Sequence, residues 1–112
     1  MYDNPAIMPT QRINQLLQFY EEDPGDPFNM YALALEYLNH DAARSREFFE
    51  KLLTNHQDYL PTYYHAAKFF QAHGETARAT AVFESGMALA KKLNDQKALR
   101  ELRSAYDEMM FE

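Results

Sequence analysis

A chain of 112 residues has room for one domain, and with no cysteine it has neither a disulfide framework nor thiolate chemistry. A formal net charge of −6, with no lysine/arginine cluster beyond Lys91-Lys92 and Arg100/Arg103, argues against nucleic acid or an anionic membrane as the partner. Nothing reads as a signal peptide or approaches the apolar length of a membrane span, so the expected setting is soluble and cytoplasmic.

Only three glycines and five prolines punctuate the chain, and no run rich in β-branched residues suggests a sheet, so the expectation is all-α. Residues 1–9 carry two prolines and no periodicity and read as a flexible N-terminal arm. Thr10 is placed to cap a first helix whose stripe is Ile13, Leu16, Leu17 and Tyr20, ended by Asp23-Pro24-Gly25. Asp26 and Pro27 restart the chain as cap and first-turn residue of a helix running to about Asn39. This helix is apolar on two sides. Met30, Leu33, Ala34 and Tyr37 form one stripe, and Phe28, Tyr31, Leu35 and Leu38 lie beside it, a pattern that means burial on several sides or one side offered to a partner. Asp41 caps a helix over about Ala42–Asn55, with Phe48, Phe49, Leu52 and Leu53 inward and Glu47 spaced to pair with Lys51.

The same design recurs. Pro61 opens a helix with Tyr63, Ala66, Ala67 and Phe70 on one face, and Gly74 stops it, because glycine takes the left-handed conformation cheaply. From about Glu75 to Lys91 a second helix carries Ala79, Phe83, Gly86 and Ala90 on one face. Gly86 costs about 1 kcal/mol relative to alanine inside a helix, and close approach of a neighbouring backbone is the reason to keep it. Asn94-Asp95 then breaks the chain and caps a last helix, to about Met110, whose stripe is Ala98, Leu99, Leu102, Ala105, Tyr106 and Met109.

Met30, Leu33, Ala34 and Tyr37 match Tyr63, Ala66, Ala67 and Phe70, while Ser45, Phe49 and Leu52 match Ala79, Phe83 and Gly86. The offset is 33 residues from Ala34 to Ala67 and 34 from Phe49 to Phe83; the missing residue falls in the turn Asn39-His40-Asp41, which lacks a glycine. This helix–turn–helix period, with an aromatic, small residues and a second aromatic in these places, resembles the tetratricopeptide repeat. Two places depart from the family pattern: Ala66 stands for the usual leucine, and Lys91 for the proline that ends a repeat, which implies that the second helix runs on to Leu93. The resemblance implies an all-α, right-handed array of α-hairpins with about six helices: two full repeats, about 26–59 and 60–93, flanked by single helices. The last, about 95–110, is a capping helix, and residues 10–112 form one domain. Such an array needs a terminal helix with a polar outer face, because an uncapped end leaves a repeat's apolar face in water.

The family binds an extended peptide or a helix along the first helices of its repeats. By that resemblance the partner-binding groove consists of Phe28, Tyr31, Leu35 and Leu38 from the first repeat and Tyr64, Lys68 and Gln71 from the second. Two readings stay open: the groove takes a partner, or the chain's own terminal helices cover it. A carboxylate clamp is not expected, because its places hold Tyr31, Ala32 and His65, with Lys68 the one cation. Glu36/His40 and His65/His73 are too few to hold a metal, and His40 and His73 sit where a histidine bonds the last carbonyls of a helix. No phosphate loop or nucleophile motif is present. The end Met109-Met110-Phe111 is read as closing the last core layer. The expected function is a non-catalytic protein–protein interaction module with no cofactor and no metal. The alternative is a self-assembling, homo-oligomeric module with no separate ligand.

Overall fold

The computed structural model describes residues 7–112, with side chains from residue 11 onward; of the expected arm at residues 1–9, residues 1–6 lie outside the described residues. Among the described residues the chain is six α-helices and no strand: α1 (Ile7–Glu22), α2 (Pro27–Tyr37), α3 (Ala42–Asn55), α4 (Pro61–Ala72), α5 (Thr76–Lys92) and α6 (Gln96–Met110). Among these, no helix is long and apolar enough to cross a membrane. The helices group into two compact units, one ending at His56 and one spanning Gln57–Glu112.

In the first unit α2 and α3 form a hairpin, and α1 packs on α2. Asp26 accepts from the backbone N–H of Phe28 at 2.9 Å, with Pro27 in the first turn, so the predicted start of α2 holds. Asp41 does the same for Arg44 at 3.2 Å and opens α3. The hairpin core is Met30, Leu33, Ala34 and Tyr37 against Phe48, Phe49 and Leu52, all buried; Leu53 is half-buried. Ser45 stands where the second repeat has alanine, and its hydroxyl would be costly to bury unpaired; it donates to the Ala34 carbonyl at 2.7 Å. Tyr20 of α1 meets Phe48 edge-on at 5.3 Å between ring centroids.

Three details of this unit differ from the sequence reading. α1 begins at Ile7, so Thr10 lies inside it and is not its cap. α2 ends at Tyr37, two residues early, because Asp41 returns its N–H to the Tyr37 carbonyl at 2.8 Å and closes a short turn with no left-handed residue. Lys51 does not seek Glu47: its ammonium donates to the Tyr20 hydroxyl at 3.1 Å and lies over the Tyr20 and Phe48 rings, while Glu47 sits 3.5 Å from Arg44. A cation over aromatic faces gains more than an exposed ion pair between two long side chains.

In the second unit α4 and α5 form the hairpin and α6 packs on both. Tyr63, Ala66, Ala67 and Phe70 meet Ala79, Val82, Phe83, Gly86 and Ala90, with Leu102, Ala105 and Met109 closing the layer from α6. A Cβ built on Gly86 would stand 2.6 Å from the Tyr63 Cβ and 3.2 Å from Leu102 Cδ1, so the interior glycine is what lets α4 and α6 approach α5.

Both turns of this unit end a helix the same way. Gly74 has φ +76°; its N–H bonds the Gln71 carbonyl at 3.1 Å and that of Glu75 bonds Phe70 at 2.9 Å. Asn94 has φ +57°, with Asn94 bonding Lys91 at 3.1 Å and Asp95 bonding Ala90 at 2.9 Å. The paired bonds satisfy carbonyls that the helix end leaves open. Asp95 then caps α6 by accepting from Ala98 at 3.0 Å. Nothing lies within 4 Å of a Cβ at Gly74, so Gly74→Ala tests the backbone conformation free of packing. We expect it to cost about 1 kcal/mol, read as a lower midpoint in urea unfolding; an unchanged midpoint would show that the left-handed turn carries no energetic penalty.

Candidate partner-binding faces

α2 has three sides with different work. Met30, Leu33, Ala34 and Tyr37 turn to α3. A flank with Asn29 and Glu36 turns to α1: Glu36 is paired with the Arg12 guanidinium at 2.9 Å, and the Asn29 amide donates to the Phe19 carbonyl at 3.2 Å and to that of Asp23 at 3.3 Å. Phe28, Tyr31, Leu35 and Leu38 fall on the third side, away from both, by the helical spacing. Phe28 is 56% exposed; Tyr31, Leu35 and Leu38 are half-buried. Within this unit, then, α1 covers a flank of α2 and leaves Phe28 in solvent.

On α4 the corresponding residues are Tyr64, Lys68 and Gln71. Tyr64 is exposed and meets His65 edge-on at 5.3 Å; Lys68 and Gln71 are half-buried. The chain end reaches this face, since the Gln71 amide donates to both Glu112 carboxylate oxygens at 3.4 Å. The Glu112 side chain thus reaches the C-terminal end of the α4 face, while Tyr64 near its start stays exposed. Burial holds the His65 pKa below the usual histidine range, which favours the neutral ring. Tyr63, one residue before Tyr64, is committed to the fold: its hydroxyl donates to the Gln57 carbonyl at 2.6 Å, and burial, with the Asp58 carboxylate adding, raises its pKa.

The histidine turns carry no converging ligands. His73 Nδ1 donates to the Phe69 carbonyl at 2.9 Å and the ring stacks on Phe69, the structural role expected of a histidine at a helix end. Among the described residues no group of three or more histidine, cysteine or carboxylate side chains is placed to hold a metal.

Three apolar residues stand out that the helical stripes did not assign to a surface. Phe19 is 53% exposed at the end of α1, off the stripe of Ile13, Leu16, Leu17 and Tyr20; an aromatic on the otherwise polar side of that helix was the available signal. At the other end the expected closure of the core by Met109-Met110-Phe111 holds for Met109 alone. Met110 is exposed and Phe111 is 90% exposed, because α6 ends at Met110 and the last residues continue beyond the packed layer.

Close-packed helical hairpins repeated at this period, with small residues where helices meet, define a helical-repeat interaction fold. A crystal structure of a tetratricopeptide repeat domain protein from Salinibacter ruber is similar to the chain at 38% identity and a TM-score of 0.71, over 76% of this chain and 96% of that one. A solution structure of a tetratricopeptide repeat domain protein from the same organism is similar at 40% identity and a TM-score of 0.73, over 78% of this chain and 89% of that one. The chain belongs to the tetratricopeptide repeat family. No protein-family model matches it, and neither does any curated protein sequence.

Proposed function

We propose that the chain is a non-catalytic interaction module that takes a peptide or helix of another protein on the first helices of its repeats, through Phe28, Tyr31, Leu35 and Leu38 on α2 and Tyr64, Lys68 and Gln71 on α4. The observation that carries the reading is α2. Its core side is complete, yet the side turned away from α1 and α3 bears four further apolar residues, with Phe28 largely in solvent. Exposed aromatic area of this kind is costly to leave in water and is typical of binding hot spots, where a rigid ring supplies apolar surface at little entropic cost. The family is one of protein-interaction folds. A cytoplasmic setting suits the cysteine-free composition.

The test is a pull-down from a lysate of the source organism, with the wild-type chain beside Tyr31→Ala/Tyr64→Ala, after circular dichroism has matched their helicity. Proteins held by the wild type and lost from the variant are expected. Identical sets on both baits would sink the reading.

Self-association is the second reading, favoured by a different observation: Leu93, Met110 and Phe111 of the second unit are all more than half exposed. Sedimentation at rising concentration separates the two, since a chain that stays monomeric removes the second.

A further inference from the structure

The chemistry around α2 says which kind of partner fits it. From Ile13 to Ala43 the chain holds six carboxylates, Glu21, Glu22, Asp23, Asp26, Glu36 and Asp41, and no lysine or arginine. Glu36 is neutralised by Arg12. Asp26 and Asp41 cap helix N-termini, but among the described residues none of Glu21, Glu22 and Asp23 forms an ion pair, and they cluster at the C-terminus of α1, where the helix dipole disfavours negative charge. One of them, Glu22, accepts from the Gln18 amide at 3.4 Å. Asp26 borders the apolar face, its carboxylate accepting from the Phe28 N–H at 2.9 Å, and Glu21, Glu22 and Asp23 precede it by three to five residues. The bias is local. Up to His56 the chain has nine acidic against four basic residues; after it, eight against seven. The α4 face correspondingly carries Lys68 and Gln71 where α2 has Leu35 and Leu38.

Resting on the reading of α2 as a binding face, we propose that this face selects a basic amphipathic segment of a partner protein, with apolar side chains seated on Phe28, Tyr31, Leu35 and Leu38 and flanking lysines or arginines attracted by Asp26 and by the acidic run Glu21, Glu22 and Asp23 that precedes it. The apolar stripe supplies burial, which a polar basic tail would not use. The carboxylates of this unit supply long-range attraction and reject acidic segments. Nucleic acid is repelled by the same field.

The test uses the full chain, immobilised, to select from a displayed library of random short peptides. The expected pool is rich in lysine and arginine interleaved with leucine, isoleucine, methionine or phenylalanine. Affinity of a selected peptide, measured by fluorescence anisotropy, falls about tenfold in Phe28→Ala, the effect of truncating one aromatic anchor. It also falls about tenfold in Glu21→Gln/Glu22→Gln/Asp23→Asn at low salt, and this second loss shrinks as salt screens the carboxylates. Phe28 is exposed, so its variant keeps the fold, which circular dichroism verifies. An acidic or uncharged pool that still depends on Phe28 would overturn the basic partner and leave the binding face standing. A basic pool indifferent to Phe28, or no selected peptide at all, would overturn both.

Discussion

Gly86→Ala lowers the stability of the chain by about 1–2 kcal/mol, although alanine is the better helix former. Two effects oppose each other. Alanine in a helix interior gains about 1 kcal/mol over glycine. The new Cβ, however, stands 2.6 Å from the Tyr63 Cβ and 3.1 Å from its Cγ. A Cβ cannot swing away as a side-chain tip can; α4 must shift as a whole, carrying the Tyr63 hydroxyl off the Gln57 carbonyl and loosening the layer of Ala66, Ala67 and Phe70. Overpacking of this kind costs about 1–3 kcal/mol, and contact with the root of a buried side chain belongs at the upper end, so the loss exceeds the gain. Gly86→Val adds two methyl groups in the same gap and costs about 3 kcal/mol or more. Thermal unfolding followed at a helical circular-dichroism band measures both. Gly25→Ala is the control, since nothing lies within 4 Å of that Cβ and its φ is not positive. A Gly86→Ala protein as stable as wild type would mean that the helices are not held at this separation.

The residues behind that prediction were visible before any coordinates, for a physical reason. Two helices that touch need small side chains at the crossing, and period and size together mark Ala67, Ala79 and Gly86 without knowledge of the neighbour. Caps were legible likewise, because Asp26, Asp41 and Asp95 act on N–H groups two or three residues away. What was not legible depends on groups distant in sequence. Lys51 has a local partner in Glu47 by spacing and a better one in Tyr20, 31 residues earlier. Arg12 and Glu36 are separated by 24 residues. The start of α1 was misplaced because Pro9 suits a helix's first turn and reads equally as a breaker when the preceding residues show no period. For the partner-binding faces the apolar excess on α2 was plain in the sequence. The exposure of Phe28 and the reach of Glu112 to Gln71 were not, since both depend on which helix covers which side.

Phe83→Ala and Phe111→Ala make the same chemical change with opposite results. Phe83 is fully buried at the centre of the second unit, with Tyr106 edge-on at 6.2 Å between ring centroids. Truncating it removes the transfer energy of the ring and leaves a cavity between α5 and its neighbours. Many positions are already alanine (Ala66 and Ala67 on α4, Ala79 and Ala90 beside Phe83 on α5), so few side chains are long enough to collapse into the space. The cost is about 3–5 kcal/mol, a large part of the roughly 5–15 kcal/mol that holds a small domain folded. It lowers the melting temperature by about 10–20 °C at this chain length. Phe111 is 90% exposed past the end of α6, and its loss changes stability by about 0.5 kcal/mol or less. The pair also separates packing from association. If Phe111 mediates contact between copies, Phe111→Ala leaves the melting temperature of a dilute sample unchanged and abolishes its rise with concentration, because only binding between molecules makes stability depend on concentration. If Phe83→Ala melts with wild type, the second unit is not organised around that ring, and the repeat correspondence of Phe49 with Phe83 loses its physical basis.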